Sequence, residues 1–162
     1  MPTTGIVAFA FGVPADTATN KRLAKIASAY AERFGIPIFT QRDIVLEEGF
    51  DVTHTQENES PASTLAIARS AVAWARERKI ETVWVVAALP HLWRCRRDLR
   101  AAGEEAQYGL VQRIPTEISR SPYESWFDPS STQPRVRSFH AWIVRESILR
   151  LMPFSIYARV AK

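Results

Sequence analysis

Apolar residues along this chain follow two alternating patterns, short continuous runs and longer segments with helical spacing. The runs are typical of strands buried on both faces, and they cover residues 5–13, 36–40, 82–88 and 108–114. The longer segments repeat apolar residues every three or four positions, as amphipathic helices do, and they cover residues 19–34, 60–78, 90–103 and 135–151. Alternation of this kind predicts βαβ units. We therefore expect a three-layer, Rossmann-like α/β fold with a mostly parallel sheet and helices on both faces, in a single domain over residues 1–162.

Helix-capping residues set the expected helix ends. Gly35 and Gly103 are expected to stop the first and third helices as left-handed caps, and Ser60 is expected to start the second as its N-cap. Pro153 ends the last helix. The periodic positions expected on the inner face of that helix are Val136, Phe139, Ile143, Ser147 and Leu151.

The segments between these elements are less regular. Residues 44–50 are expected to form a short strand or a turn, residues 51–59 a polar loop, and residues 154–160 an edge strand. Residues 115–134 contain four prolines and predict a long loop, and such loops are often lids. Its aromatic residues, among them Trp126, need an apolar contact, so this loop is a possible cover for a site.

The clearest candidate chemistry follows the apolar run at residues 82–88. His91 and Arg94 lie three residues apart in the first turns of the next helix and therefore share a face. Ligands of open α/β sheets bind at the carboxyl ends of the strands, which is where this pair is expected. Cys95 lies on the apolar stripe of the same helix and is expected to be a buried packing residue.

Further polar residues are expected at the same edge of the sheet. With His91 and Arg94, they are Arg22, Gln41, Arg42, Asp43, Glu57, Glu59, Ser60, Ser63 and Thr64. Helix N-termini together with arginines suit a phosphate or a carboxylate. We expect an anion to be bound by Arg22, Arg42, Ser63, Thr64 and Arg94. His91 is either a proton-transferring residue, a hydrogen-bond donor or only a helix-start residue, and local capping by Ser63 and Thr64 is the structural alternative for that pair.

Composition and charge exclude several classes of protein. The single cysteine rules out an internal disulfide, and the three histidines have no metal-ligand spacing. No glycine-rich dinucleotide fingerprint, P-loop or G-x-S-x-G motif is present. The 21 basic and 17 acidic residues are scattered, so nucleic-acid binding is not favoured. Without a transmembrane-length apolar run, a membrane anchor or a signal-like N-terminus, a cytoplasmic location is expected.

Two segments carry a resemblance to a known family. VWVVAALPHLWRCRRDLRAAG resembles the strand, His-x-x-Arg, helix and glycine of the SanA/YdcF/ElyC-like family, a bacterial group of Rossmann-like domains of mostly unassigned activity. His91, Arg94 and Gly103 match its histidine, arginine and glycine. ENESPASTLAIARSAVAWA resembles the preceding acidic residue and helix, with Thr64 at the family's threonine, and Arg22 matches the arginine that opens the first helix. The resemblance covers about residues 6–115.

The resemblance implies a soluble member that binds a nucleotide-like ligand such as S-adenosylmethionine. The chain departs from the family at Gln41–Asp43, where a Ser-Gly-Gly is usual, and at Ala66 and Ile67, where Glu-Asn is frequent. Two functions therefore stand as hypotheses. The first is binding, with or without turnover, of a nucleotide-like or sugar-phosphate-like anion, and the second is a non-catalytic interaction domain whose site has decayed.

Overall fold

The computed structural model describes residues 3–55 and 63–160, and these contain five strands and six α-helices. The strands are β1 Thr3–Ala8, β2 Ile38–Thr40, β3 Val52–His54, β4 Ile80–Val86 and β5 Val111–Arg113. The helices are α1 Ala18–Phe34, α2 Thr64–Glu77, α3 Leu89–Glu105, α4 Thr116–Ser119, α5 Phe139–Leu151 and α6 Phe154–Val160, with 3₁₀ turns at Tyr123–Trp126 and Pro134–Val136.

The sheet has the strand order β3-β2-β1-β4-β5, and every pair in it is parallel. The chain moves from β1 through β2 to β3 in one direction and then crosses to β4 on the other side of β1. The strand order therefore reverses between β1 and β4, where ligands of open α/β sheets bind. The expected three-layer α/β fold is confirmed.

Helices cover both faces of the sheet because side chains alternate along each strand. Trp84 of β4 contacts Tyr30 and Phe34 of α1, with ring centroids 4.8 and 6.1 Å away. Gly5 of β1 faces the opposite way, and a Cβ there would lie 2.8 Å from the ring of Trp74 on α2. Consequently α1 lies on one face of the sheet and α2 on the other.

Two segments differ from the expected elements, and a third takes one of its two expected forms. Val52–His54 is an edge strand and not a loop, because its backbone pairs with β2 in spite of its polar sequence. Residues 44–50 form turns, which is one of the two forms expected for them. The segment Phe154–Val160 is helical and not an edge strand, and it buries only Tyr157. A run of seven residues is too short for its period to distinguish strand from helix, so tertiary contacts decide.

The helix ends agree with the expected caps in one case and differ in two. Gly35 ends α1 in the left-handed conformation, with φ 62°. Ser63 caps α2 by accepting a hydrogen bond from the Ala66 amide at 3.2 Å, whereas the expected cap Ser60 lies outside the described residues. Gly103 lies within α3 and does not end it. A Cβ at Gly103 would lie 2.8 Å from a following backbone carbonyl oxygen, so close approach of the chain, not a cap, requires glycine there.

Residues 115–134 are not an open loop. They contain α4 and a 3₁₀ turn, and Trp126 is fully buried. The carbonyl oxygen of Val13 accepts hydrogen bonds from the Ser131 hydroxyl and the Thr132 amide, at 2.9 and 2.8 Å. The Asp128 carboxylate accepts one from the Ala18 amide at 2.7 Å. The segment is therefore fastened to the loop between β1 and α1 and covers that end of the sheet.

Candidate functional site

The first turn of α3 places His91 at the carboxyl end of β4, next to the point where the strand order reverses. Nη2 of Arg94, one turn later, lies 3.0 Å from Nδ1 of His91. A guanidinium only donates hydrogen bonds, so Nδ1 must be the acceptor. His91 therefore carries its proton on Nε2.

The Nε2 side of His91 faces the start of α2. Nε2 lies 3.4 Å from Oγ1 of Thr64, the first residue of that helix, and Ser63 caps the same helix. Both Ser63 and Thr64 are partly exposed. The structure thus brings together four of the residues that the sequence predicted, Ser63, Thr64, His91 and Arg94.

The surroundings keep His91 neutral. Its side chain and that of Arg94 are buried, with relative exposures of 6% and 5%. Burial, followed by the positive charges of Arg94 and Arg145, holds the pKa of His91 well below its ordinary value. A neutral imidazole with its hydrogen on Nε2 is a hydrogen-bond donor toward Thr64. This protonation state favours the donor interpretation over proton transfer.

Glu146 on α5 completes the cluster and was not among the predicted site residues. Its side chain is only 1% exposed, and Oε2 lies 3.6 Å from Nη1 of Arg94. Arg150, one turn later on α5, approaches Oε1 at 3.7 Å. Neither carboxylate oxygen has a hydrogen-bond partner among the described residues. Glu146 is therefore the counter-charge of Arg94 but is held by charge attraction alone.

Glu146 was missed because the expected inner face of the last helix was wrong. The buried positions of α5 are Trp142, Glu146 and Leu149, and Leu151 is 86% exposed. Both sets of positions are periodic, and a buried glutamate makes the true face look less apolar than the exposed one. The sequence signal for the true face is the spacing of Glu146 four residues after Trp142, which places both on one side of the helix.

Aromatic rings enclose the imidazole on its other sides. The Trp142 ring lies edge-on, 5.7 Å from His91 between centroids, and the Phe11 ring lies at 6.0 Å. Phe127 packs in turn on Phe11 at 5.8 Å. Among the described residues, the side of the cluster formed by Ser63 and Thr64 is the more accessible one.

The turn after β1 does not have the free backbone donors of a phosphate-binding loop. The Ala10 amide donates to the side chain of Gln41 at 2.8 Å, and the Phe11 amide donates to the side chain of Asn20 at 2.9 Å. In contrast, the first turn of α3 has no side-chain cap. The first turns of α1, α2 and α3 contain no acidic residue, so the positive ends of their dipoles are not offset locally.

The predicted ligand-binding residue Arg22 makes its side-chain contacts outside this cluster. The guanidinium of Arg22 stacks on Trp126, 3.9 Å from the ring centroid, and donates to the Ser125 hydroxyl at 3.0 Å. Its guanidinium, near the start of α1, is held by this stacking, which the sequence did not indicate. Arg42 is exposed in the turn after β2. Glu57 and Glu59 lie outside the described residues.

Other site types find no support in the described residues, 3–55 and 63–160. This part of the chain has no group of three or more metal-binding side chains and no helix that is long and apolar enough to cross a membrane. Cys95 is fully buried, as expected, and burial raises its pKa well above the ordinary value for a thiol.

Comparison with known proteins adds no relative. No protein-family model matches the chain, no curated protein matches it, and no solved structure matches it. The resemblance to the SanA/YdcF/ElyC-like family therefore stays a prediction.

Proposed function

We propose that this chain binds a small anionic molecule at the cluster of Ser63, Thr64, His91 and Arg94. The observation that carries this proposal is the hydrogen bond from Arg94 to Nδ1 of His91, which makes Nε2 a fixed donor beside the Thr64 hydroxyl. Donors from two helix starts then face the same partly exposed side. Helix N-termini and neutral donors are a common way to hold phosphate or carboxylate groups.

Charge in the cluster favours a particular division of roles. Arg94 is already paired with Glu146, so its main contribution is to orient His91. The Thr64 hydroxyl, which accepts from Nε2 of His91, then donates to the ligand directly. A nucleotide-like or sugar-phosphate-like anion is the ligand class that we favour, and S-adenosylmethionine remains a candidate from the family resemblance alone. Turnover would place His91 as a donor that polarises the Thr64 hydroxyl, which in turn contacts the bound group.

Thermal-shift measurements with inorganic phosphate, AMP, a sugar phosphate and S-adenosylmethionine test the proposal. A ligand at about 100 times its Kd adds about 2.7 kcal/mol of stability. For a chain of this size that corresponds to a rise in Tm of roughly 5–10 °C. Thr64→Val should abolish the shift while leaving the fold intact, because Thr64 is only partly buried.

Thr116→Val is the matched control, since Thr116 is also the first residue of a helix but is exposed and belongs to α4. We expect this variant to respond to ligand like the wild type. A ligand shift that survives Thr64→Val, or one that Thr116→Val removes equally, would exclude the cluster as the binding site.

One observation favours the second candidate, a non-catalytic interaction domain. Phe11 and Trp142 pack against His91, and both His91 and Arg94 are buried. In that case none of the four compounds raises the Tm, and His91→Gln lowers the stability of the protein without any ligand-dependent effect.

A further inference from the structure

The outer face of α5 carries an apolar stripe. Val144, Ile148 and Leu151 are spaced at i, i+4 and i+7, which places them on one side of the helix. They are 65%, 58% and 86% exposed. Scattered single apolar residues on a surface need no explanation, but three at helical spacing form a continuous patch.

The helix α6 carries further exposed apolar residues. Its buried residue Tyr157 is fastened to α3, because the hydroxyl donates to the buried carboxylate of Asp98 at 2.5 Å. This anchor fixes which side of α6 faces outward. Phe154, Ile156 and Val160 are then exposed by 36%, 49% and 66%. We call these three residues, with the stripe of Val144, Ile148 and Leu151, the C-terminal surface.

Arginine and tryptophan side chains connect this surface to α3. Trp93 is 41% exposed, and the guanidinium groups of Arg97 and Arg150 lie 4.9 and 5.0 Å from its ring centroid. Arg97 also lies 5.7 Å from the ring centroid of Phe154. A tryptophan flanked by arginines, one of which also reaches an exposed phenylalanine, is the composition of a surface that lies at a lipid interface.

The positive charge of the chain is concentrated in its C-terminal segment. Residues 135–162 contain six basic residues and one acidic residue, a net charge of +5, whereas residues 1–134 contain fifteen basic and sixteen acidic residues, a net charge of −1. The single acidic residue is Glu146, which is buried in the ion pair with Arg94. The described part of this segment therefore exposes no negative side chain next to its apolar residues.

We propose that the C-terminal surface binds peripherally to an anionic lipid membrane. The positive charge attracts acidic headgroups, and the exposed apolar side chains enter the boundary between headgroups and acyl chains. A second copy of this chain is a poorer occupant, because a symmetric contact would bring together two C-terminal segments that each have a net charge of +5. This inference is independent of the ligand cluster proposed above.

Sedimentation with large vesicles tests the inference on the full chain. One set contains phosphatidylcholine alone, and the other contains added phosphatidylserine. We expect binding to the phosphatidylserine vesicles only, and we expect it to weaken at least about tenfold as NaCl rises from about 0.1 M to about 1 M, where the Debye length falls to about 3 Å.

Two variants identify the surface. Ile148→Glu combined with Leu151→Glu should reduce vesicle binding at least about tenfold, because it places two negative charges on the apolar stripe. Val45→Glu is the matched control, since Val45 is 68% exposed but lies in the turns after β2, and it should bind as the wild type does. Circular dichroism melts of all variants establish that each one folds.

Several outcomes would overturn the inference. They are absence of binding to phosphatidylserine vesicles by the wild type, equal binding to both vesicle types, and equal losses in Val45→Glu and in the double variant. A dimer in solution that the double variant dissociates, without vesicle binding by the wild type, would assign the surface to self-association instead.

Discussion

Glu146→Leu tests whether the buried ion pair with Arg94 holds the strand-end cluster together. The two side chains are 1% and 6% exposed, and the nearest pair of charged atoms is 3.6 Å apart. Leucine fills most of the space of glutamate but removes the counter-charge. Arg94 is then left as a buried cation beside His91 and near Arg145, whose own pKa is already lowered by burial and by Arg94.

The expected loss of stability follows from the burial of the remaining charge. Removing one partner of a buried ion pair costs about 3–5 kcal/mol. At roughly 2–4 °C per kcal/mol, Tm should fall by about 6–20 °C. The double variant Arg94→Met with Glu146→Leu removes both charges, so no buried cation is left unpaired. It also removes the hydrogen bond that Arg94 donates to Nδ1 of His91, and this unsatisfied acceptor costs about 1–3 kcal/mol, which is less than the unpaired charge. The double variant should therefore be more stable than Glu146→Leu alone.

An exposed ion pair on the same protein is the control. Arg69 and Glu105 form two hydrogen bonds, at 2.8 and 2.9 Å, and their side chains are 48% and 45% exposed. Although this pair is shorter than the one between Arg94 and Glu146, solvent screening limits its contribution to about 1 kcal/mol or less. We therefore expect Glu105→Leu to cost much less than Glu146→Leu.

Urea denaturation followed by tryptophan fluorescence measures all four proteins, with the slope m as the check that the unfolded state is comparable. Equal losses in Glu146→Leu and Glu105→Leu would refute the claim that burial decides the strength of the pair. A double variant that is less stable than Glu146→Leu would refute the claim that the unpaired cation is the source of the loss.

Three further predictions concern single residues. Gly103→Ala should destabilise the protein by about 1–3 kcal/mol in urea, because its Cβ meets a backbone oxygen at 2.8 Å, whereas Gly109→Ala meets nothing within 4 Å and should be nearly neutral. Cys95 is buried and its pKa is raised, so the native protein should not react with a thiol reagent such as DTNB, whereas the denatured chain should react fully. Rapid labelling of the native protein would contradict the burial of this thiol. The pKa of His91 is lowered in the folded state, so as the pH falls the unfolded chain protonates at this histidine before the folded protein does. The stability that neutral His91 contributes is therefore present above pH 6.5 and is lost as the pH falls below that value. His91→Gln should flatten that part of the pH dependence, and an unchanged slope in denaturation curves would rule out this assignment.

The sequence was sufficient to predict that the polar residues next to the carboxyl ends of the strands lie close together. Thr64, His91 and Arg94 each lie at or near the start of a helix that follows a strand, and parallel strands end at one edge of the sheet. Their convergence therefore follows from local pattern and topology. Arg22 has the same local position, yet its guanidinium stacks on Trp126, about a hundred residues later in the chain. Local pattern carries no information on such a contact.

The sequence by itself determined the alternation of strands and helices, the parallel sheet and the position of His91 and Arg94, because these depend on hydrophobic period and on short connections. Only the tertiary structure decided that Glu146 faces Arg94, that Trp142 covers His91 and that Phe154–Val160 is a helix. Each of these depends on which side of a helix packs inward. That choice is made by contacts between segments far apart in sequence, and the period of α5 alone is compatible with either face.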